Sequence, residues 1–253
     1  MSGRPIRAVV FDLFDTLVDL DMAGLPVVEV HGRRFPSTAE ALYAELSKHV
    51  EVPWEAFTEA LISVERELRA PRAEAGRELP TLERFQVLLG YLGVAAPDLP
   101  GSLTRTHMDL VRGQVGVLEH HAALLASLHE RVRLAVCSNF SHSQTALAIL
   151  EDAGLRWHLD AVLVSDAIGW RKPRREVFEA TLASLGVEAC ETLHVGDSLP
   201  SDVAGAAATG IRSAWITRRV PEPQELLHKY RGPRPDHVLA DLAELADLPE
   251  LCP

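Results

Sequence analysis

Three cysteines in 253 residues, Cys137, Cys190 and Cys252, are too few and too scattered for a disulfide scaffold, and none shows the CxxC spacing of a redox or zinc motif. Reduced thiols in a cytoplasmic compartment are the expectation. Long apolar runs are also missing. No stretch approaches the ~20 residues that a membrane-crossing helix needs. The N-terminal Met-Ser-Gly-Arg-Pro-Ile-Arg reaches a buried-looking strand too soon to serve as a signal peptide. Basic residues are in deficit, 25 against 36 acidic, for a net charge of −11. That balance argues against nucleic acid as the main partner, because phosphate backbones are met by clustered Lys and Arg. An acidic protein can still hold an anionic small molecule where a metal ion or local cations invert the field.

What is present is an ordinary globular composition, 47% apolar and 24% charged, in a chain long enough for one large or two modest domains. From Arg133 onward a repeating unit appears: a short apolar run, a polar tip, then a helical segment. The runs are Leu134–Cys137, Ala161–Val164, Leu193–Val195, Ser213–Ile216 and His237–Leu239, with helical stretches such as Gln144–Ala153 and Glu176–Leu185 between them. Together with the run ending at Phe11 this makes about six strands in right-handed βαβ crossovers, a parallel sheet. The stretch between about 20 and 115 is different. Trp54, Phe57, Leu61, Val64 and Leu68 follow the 3-4 spacing of one helix face, and Leu82, Phe85, Leu89 and Leu92 repeat it. Ser37 reads as a helix cap, and Val27–Val30 with Arg33–Phe35 as a small hairpin. The expected organisation is a Rossmann-like α/β core of residues 1–19 and 115–253, with a helical domain of residues 20–114 inserted after the first strand.

Four strand-end motifs carry the chemistry. The first is Val9-Val-Phe-Asp12-Leu-Phe14-Asp15-Thr16, a buried strand delivering a carboxylate to its tip. The second, Leu134-Ala-Val-Cys-Ser138-Asn139, ends in a hydroxyl able to hold an anionic oxygen. The third, Gly169-Trp-Arg-Lys172-Pro173, can place a fixed positive charge in a cleft. The fourth, Val195-Gly196-Asp197-Ser198-Leu-Pro-Ser-Asp202, brings two carboxylates around a turn, a pattern that suits a hard, oxygen-liganded cation such as Mg²⁺. His120 and His121 have no spaced partner for a metal site and read as surface residues. His142 ranks below Ser138, and Trp170 reads as packing.

In this order and spacing, the motifs resemble the four signatures of the haloacid dehalogenase superfamily of hydrolases, with the helical insertion similar to that superfamily's C1-type cap. The resemblance implies that Asp12 is the nucleophile of a covalent aspartyl intermediate. Ser138 then binds a transferring oxygen and Lys172 neutralises the nucleophile and the developing charge. Asp12, the Phe14 backbone carbonyl, Asp197 and Asp202 hold Mg²⁺, and Thr16 steadies the loop. Thr16 and Asn139, with Arg33 and Arg66 among the cap cations Arg33, Arg34, Arg66, Arg69, Arg72 and Arg84, are the candidate substrate-binding residues. One departure stands out: phosphatases of the superfamily carry a second aspartate two residues after the nucleophile, and here that position is Phe14. An aromatic residue there is a mark of the dehalogenase branch, which displaces halide without metal, whereas Gly196-Asp197 is a mark of the metal-dependent members. A Mg²⁺-dependent phosphatase acting on a small anionic metabolite is therefore the leading expectation. A metal-independent 2-haloacid dehalogenase and a binding or regulatory protein with weak turnover are the alternatives. Monomer and homodimer are equally compatible with the sequence.

Overall fold

The computed structural model describes residues 5–30 and 32–251, so Cys252 and the first four residues of the N-terminal reading lie outside the described residues. The chain divides into two compact units. One joins residues 1–19 to 117–253, and the other spans 20–116.

The first unit is built on six strands: β1 (Ala8–Phe11), β2 (Arg133–Ser138), β3 (Ala161–Val164), β4 (Thr192–Gly196), β5 (Arg212–Ile216) and β6 (His237–Leu239). They form one sheet in the order β6-β5-β4-β1-β2-β3 with every pairing parallel. Parallel sheets are covered on both faces, so their strands are continuously apolar rather than alternating. The central strand β1 obeys this, with Ala8, Val9, Val10 and Phe11 all buried. In register, Phe11 lies level with Val136 of β2 and Val195 of β4. The residues just beyond those positions therefore leave the sheet at one edge. The chain steps from β1 out to β3 on one side, then returns to build β4, β5 and β6 on the other. The reversal point is between β1 and β4, where open α/β sheets bind ligands.

The second unit is helical, with a two-stranded antiparallel hairpin, Val27–Val30 paired to Arg33–Pro36, as expected. Its core is Leu42, Leu46, Phe57, Val64, Phe85, Leu88, Leu89, Leu99 and Leu103. The stripe from Trp54 runs as an α-helix to Val64 and continues as a wider π-turn over Glu65–Arg69. The second stripe is rotated from its expected face: Leu82 is exposed, and Leu88 takes its place beside Phe85 and Leu89. The spacing of 82, 85, 89 and 92 fits one face, but Leu88 also follows Phe85 by three, and packing chose that side. The helix over Ala39–Leu46 begins after Thr38, whose side chain makes no capping bond, and the capping acceptor is Ser37 Oγ, which takes the Ala39 N–H at 3.1 Å.

Phe57 is fully buried in the helical core. Replacing it with alanine is expected to cost about 3–5 kcal/mol. Because this unit has its own core, hydrogen exchange should speed up in Trp54–Val64 and Thr81–Tyr91 well before the strands of the sheet. Equal acceleration in both units would count against separate cores.

Candidate active site

Four chain segments converge where the sheet reverses. Asp12 follows β1, and its backbone N–H donates to the Val195 carbonyl at 2.8 Å, fixing it against β4. Ser138 closes β2, Asp197 follows β4, and Lys172 comes from the loop after β3. Together with Phe14, Asp15, Asn139, Ser198, Ser201 and Asp202 they line a cavity of about 200 Å³.

Lys172 is the hub. Its Nζ lies 2.7 Å from Asp12 Oδ1 and 2.7 Å from Asp202 Oδ1, with only 1% of its side chain exposed. Burial opposes the charge on Lys172, yet the two carboxylates hold its pKa above the ordinary lysine value. Asp202 is held from three directions, by Lys172, by His194 Nε2 at 2.8 Å and by the Ser198 N–H at 3.0 Å. Burial alone would raise its pKa; Lys172 and His194 instead hold it well below the usual carboxylate range. Asp12 goes the other way, its pKa raised by burial despite Lys172. Asp197 is pushed up to about 7, by burial first and then by the charges of Asp12 and Asp202.

The surrounding residues explain how these positions are kept. Asn139 donates to the Lys172 carbonyl at 3.0 Å and accepts the Lys172 N–H at 2.7 Å, so both ends of its amide are spent on holding the lysine segment. Trp215, buried in β5, donates from Nε1 to the Asp197 carbonyl at 2.7 Å. Gly196 is required by contact, since a Cβ there would stand 2.3 Å from Asp202 Cγ. Asp15 adopts a left-handed φ of 56°, and its carboxylate meets Arg219 at 3.2 Å. Phe14 lines the cavity with its ring edge-on to Phe140, centroids 4.9 Å apart.

The Ser138 hydroxyl is buried without a hydrogen-bond partner among the described residues, which leaves it able to donate to an anionic oxygen in the cavity it lines. Thr16 is likewise buried and unpartnered, but it is not among the lining residues. Arg33 and Arg66 belong to the helical unit. Arg33 is exposed on the hairpin, and Arg66 pairs with its neighbour Glu67 at 2.6 Å. Arg84, from the same set of cations, lines a mostly apolar cavity of about 350 Å³ inside that unit with its Nε buried and unpartnered. His142 is engaged with Thr145, and Trp170 carries the Arg174 guanidinium at 4.6 Å. Sequence reading missed His194, Trp215 and Arg219. Their partners lie up to about 200 positions away, and no local spacing announces them.

One carboxylate oxygen from each of Asp12, Asp197 and Asp202 lies within 4.8 Å of the others. With Lys172 the one cation lining this cavity among the described residues, such a group fits a hard dication, which would relieve the part of the Asp197 shift that comes, after burial, from its carboxylate neighbours.

Residues 6–210 match the family model of the haloacid dehalogenase-like hydrolases, and the chain belongs to that family. It is a hydrolase. Haloacid dehalogenase-like hydrolase domain-containing protein 3 of Bos taurus is 40% identical over 130 residues, 51% of this chain and 50% of that protein. The chain thus spans about half the length of that relative. A phosphoserine phosphatase of Thermus thermophilus is 29% identical over 95% of this chain and 98% of its own length. In fold the chain resembles a 2-haloacid dehalogenase of Pseudomonas syringae, TM-score 0.64 at 21% identity, over 96% of this chain and 97% of that one. Among the described residues no helix is long and apolar enough to cross a membrane.

The raised pKa of Asp197 sets a pH signature. A carboxyl that titrates near 7 when folded and near 3.8 when unfolded makes the folded state bind more protons between those values. Its contribution to stability in the metal-free protein is therefore lost as pH rises from about 4 to about 7. A dication such as Mg²⁺ held by the three carboxylates would compete with that proton. At a Mg²⁺ concentration of 100 times Kd the gain is about 2.7 kcal/mol, on the order of 5–10 °C in Tm for a chain of this size. The Tm increment from Mg²⁺ should be clearly larger at pH 8 than at pH 5.5. Equal increments at the two pH values would contradict the assignment.

Proposed function

We propose that this chain is a Mg²⁺-dependent phosphatase of small phosphorylated metabolites, working through an aspartyl-phosphate on Asp12. The observation that carries the reading is the group of three close carboxylates, Asp12, Asp197 and Asp202, with Asp197 destabilised as an anion. A halide-displacing site without metal has no use for that repulsion. Bound at the three carboxylates and the Phe14 carbonyl, Mg²⁺ would neutralise charge between the nucleophile and the phosphoryl oxygens. The phosphoserine phosphatase likeness over nearly the full chain agrees with this reading.

In the proposed sequence Asp12 attacks phosphorus, the bond to the ester oxygen breaks, and Lys172 and the Ser138 hydroxyl balance the charge on the equatorial oxygens. Water then cleaves the acyl phosphate, returning Asp12 and releasing inorganic phosphate. The leaving alkoxide takes its proton from solvent, because Phe14 has none to give. Loss of a positioned acid–base group slows such reactions by about 10²–10⁴-fold. Good leaving groups are therefore favoured. The helical unit is read as a C1-type cap that would choose the substrate, and within it Arg84 has an unpartnered buried Nε among the described residues. The remaining attributes proposed are a cytoplasmic setting and a monomer or homodimer.

The test is phosphate release from an aryl phosphate with and without Mg²⁺. Release should require Mg²⁺ and fall at least about 10³-fold in Asp12→Asn. The second reading, a 2-haloacid dehalogenase, rests on Phe14 at the cavity wall. It would be favoured by EDTA-insensitive halide release from a 2-halo acid with no phosphate release at all. Absence of both activities would leave the binding-protein reading.

Phe14→Asp provides an independent check. Restoring a carboxyl at this position should raise kcat for alkyl phosphates, which need a proton on the leaving oxygen, by about 10-fold or more. Aryl phosphates should gain little. An equal effect on both substrate types would show that Phe14 does not limit proton transfer.

A further inference from the structure

A second group of metal-ligating side chains lies in the sheet-bearing unit, and the hydrolytic chemistry makes no use of it. The helix over Glu119–His129 carries His120 and His121 in its first turn. Contrary to the expectation of a surface pair, His121 is fully buried. Its Nδ1 sits 2.8 Å from the Leu17 carbonyl, which can only accept, so Nδ1 carries the hydrogen and Nε2 the lone pair. That Nε2 is shut off from solvent and has no hydrogen-bond partner among the described residues. An orphaned buried acceptor costs about 1–3 kcal/mol, so its presence calls for a reason. Beside it, His120 Nε2 lies 2.9 Å from Asp241 Oδ1, and the two imidazoles meet edge to face with centroids 4.5 Å apart. Asp241 is oriented in turn by accepting the Ala243 N–H at 2.9 Å. A donor atom from each of His120, His121 and Asp241 lies within 4.8 Å of the others.

We propose that His120, His121 and Asp241 form a second metal site, distinct from the carboxylate cavity and selective for a transition-metal dication of the Zn²⁺ type. Two imidazole nitrogens and one carboxylate are the donor set of such ions, whereas Mg²⁺ takes oxygen. The hydrogen bond from His121 Nδ1 to a backbone carbonyl is the outer-shell arrangement that fixes a ligating histidine's tautomer and aims its other nitrogen. Donors about 2.0–2.2 Å from a tetrahedral ion stand about 3.4 Å from one another, so closing from separations within 4.8 Å asks only for small side-chain rotations. The half-exposed His120 and Asp241 can make them. With three protein donors, a fourth coordination position would be left for water. Leu17 is five residues after Asp12, so an ion here would pin the segment that follows the nucleophile.

The experiment is calorimetric titration of the whole chain with Zn²⁺ after chelator treatment, in millimolar Mg²⁺ to saturate the carboxylate cavity. The wild type should take up one Zn²⁺ per chain. His120→Ala and Asp241→Asn, both at the surface and compatible with folding, should each weaken binding at least about 10-fold. Co²⁺ in place of Zn²⁺ should give the visible absorption of a four-coordinate ion, lost in both variants. No uptake in excess Mg²⁺, or uptake unchanged in both variants, overturns the proposal. Because the readout is binding, either result stands apart from whether the chain hydrolyses phosphoesters.

Discussion

The buried ammonium of Lys172, shared between Asp12 and Asp202, is the constraint around which the sheet-bearing unit is arranged. Removing three charges from water is costly, and their mutual attraction offsets this only when geometry is good and every remaining lone pair is met. The cost of stripping one partner from such a group, about 3–5 kcal/mol, comes from the charge left alone. The fold supplies the geometry by placing the three groups on three different segments that a parallel sheet brings to one edge. Asp12 continues β1, Asp202 follows β4, and Lys172 arrives from beyond β3. None is adjacent to another in sequence, so their proximity exists only when the strand order is correct. The electrostatics of the site and the topology of the sheet are therefore one requirement.

The residues around the triad mostly restrict freedom. Asn139 clamps the lysine backbone from both sides, and Trp215 fixes Asp197 through its carbonyl while leaving the carboxylate unengaged. His194 shares Asp202 with Lys172, so Asp202 stays ionised and its oxygen is directed. Asp197 is treated differently: it is crowded by like charge and given no cation of its own. The fold thus stabilises one carboxylate thoroughly and leaves another in want of a partner. Sites that bind a cation need that asymmetry, because a fully satisfied cluster has no affinity left to offer.

The strands and their polar tips were readable because a buried parallel strand is a continuous apolar run, and a polar tip breaks that run abruptly. Asp12, Ser138 and Asp197 announce themselves this way. The Gly196-Asp197 pair was legible as a motif, but its physical reason was not: the absent Cβ makes room for the Asp202 carboxylate. His194 illustrates the limit. Within β4 it occupies a position any apolar residue could fill, and its partner Asp202 is reached only after the chain has turned. His121 failed for the same reason at longer range, since spacing near His120 and His121 says nothing of Asp241 or Leu17, each more than 100 residues away. In the helical unit, periodicity gave the helices but not their rotation. Leu82 and Leu88 both sit three residues from Phe85, and only packing against the neighbouring helices chose between them.

Phe14 is best understood through the charge already present. Asp12, Asp15, Asp197 and Asp202 all line the cavity, against Lys172 from within and Arg219 on the far side of Asp15. A further carboxylate at position 14 would join the group in which Asp197 is already pushed up to about 7. Its own ionisation would be opposed in the same way, which is how a general acid keeps its proton near neutral pH. The chain has instead an aromatic ring packed edge-on against Phe140, which makes that wall apolar and rigid. Proton delivery is given up, and repulsion among the carboxylates is held at its present level. If the proposed phosphoester hydrolysis holds, such a site would discriminate by leaving group before it discriminates by shape, because an ester oxygen that departs readily as an anion has no need of the missing acid.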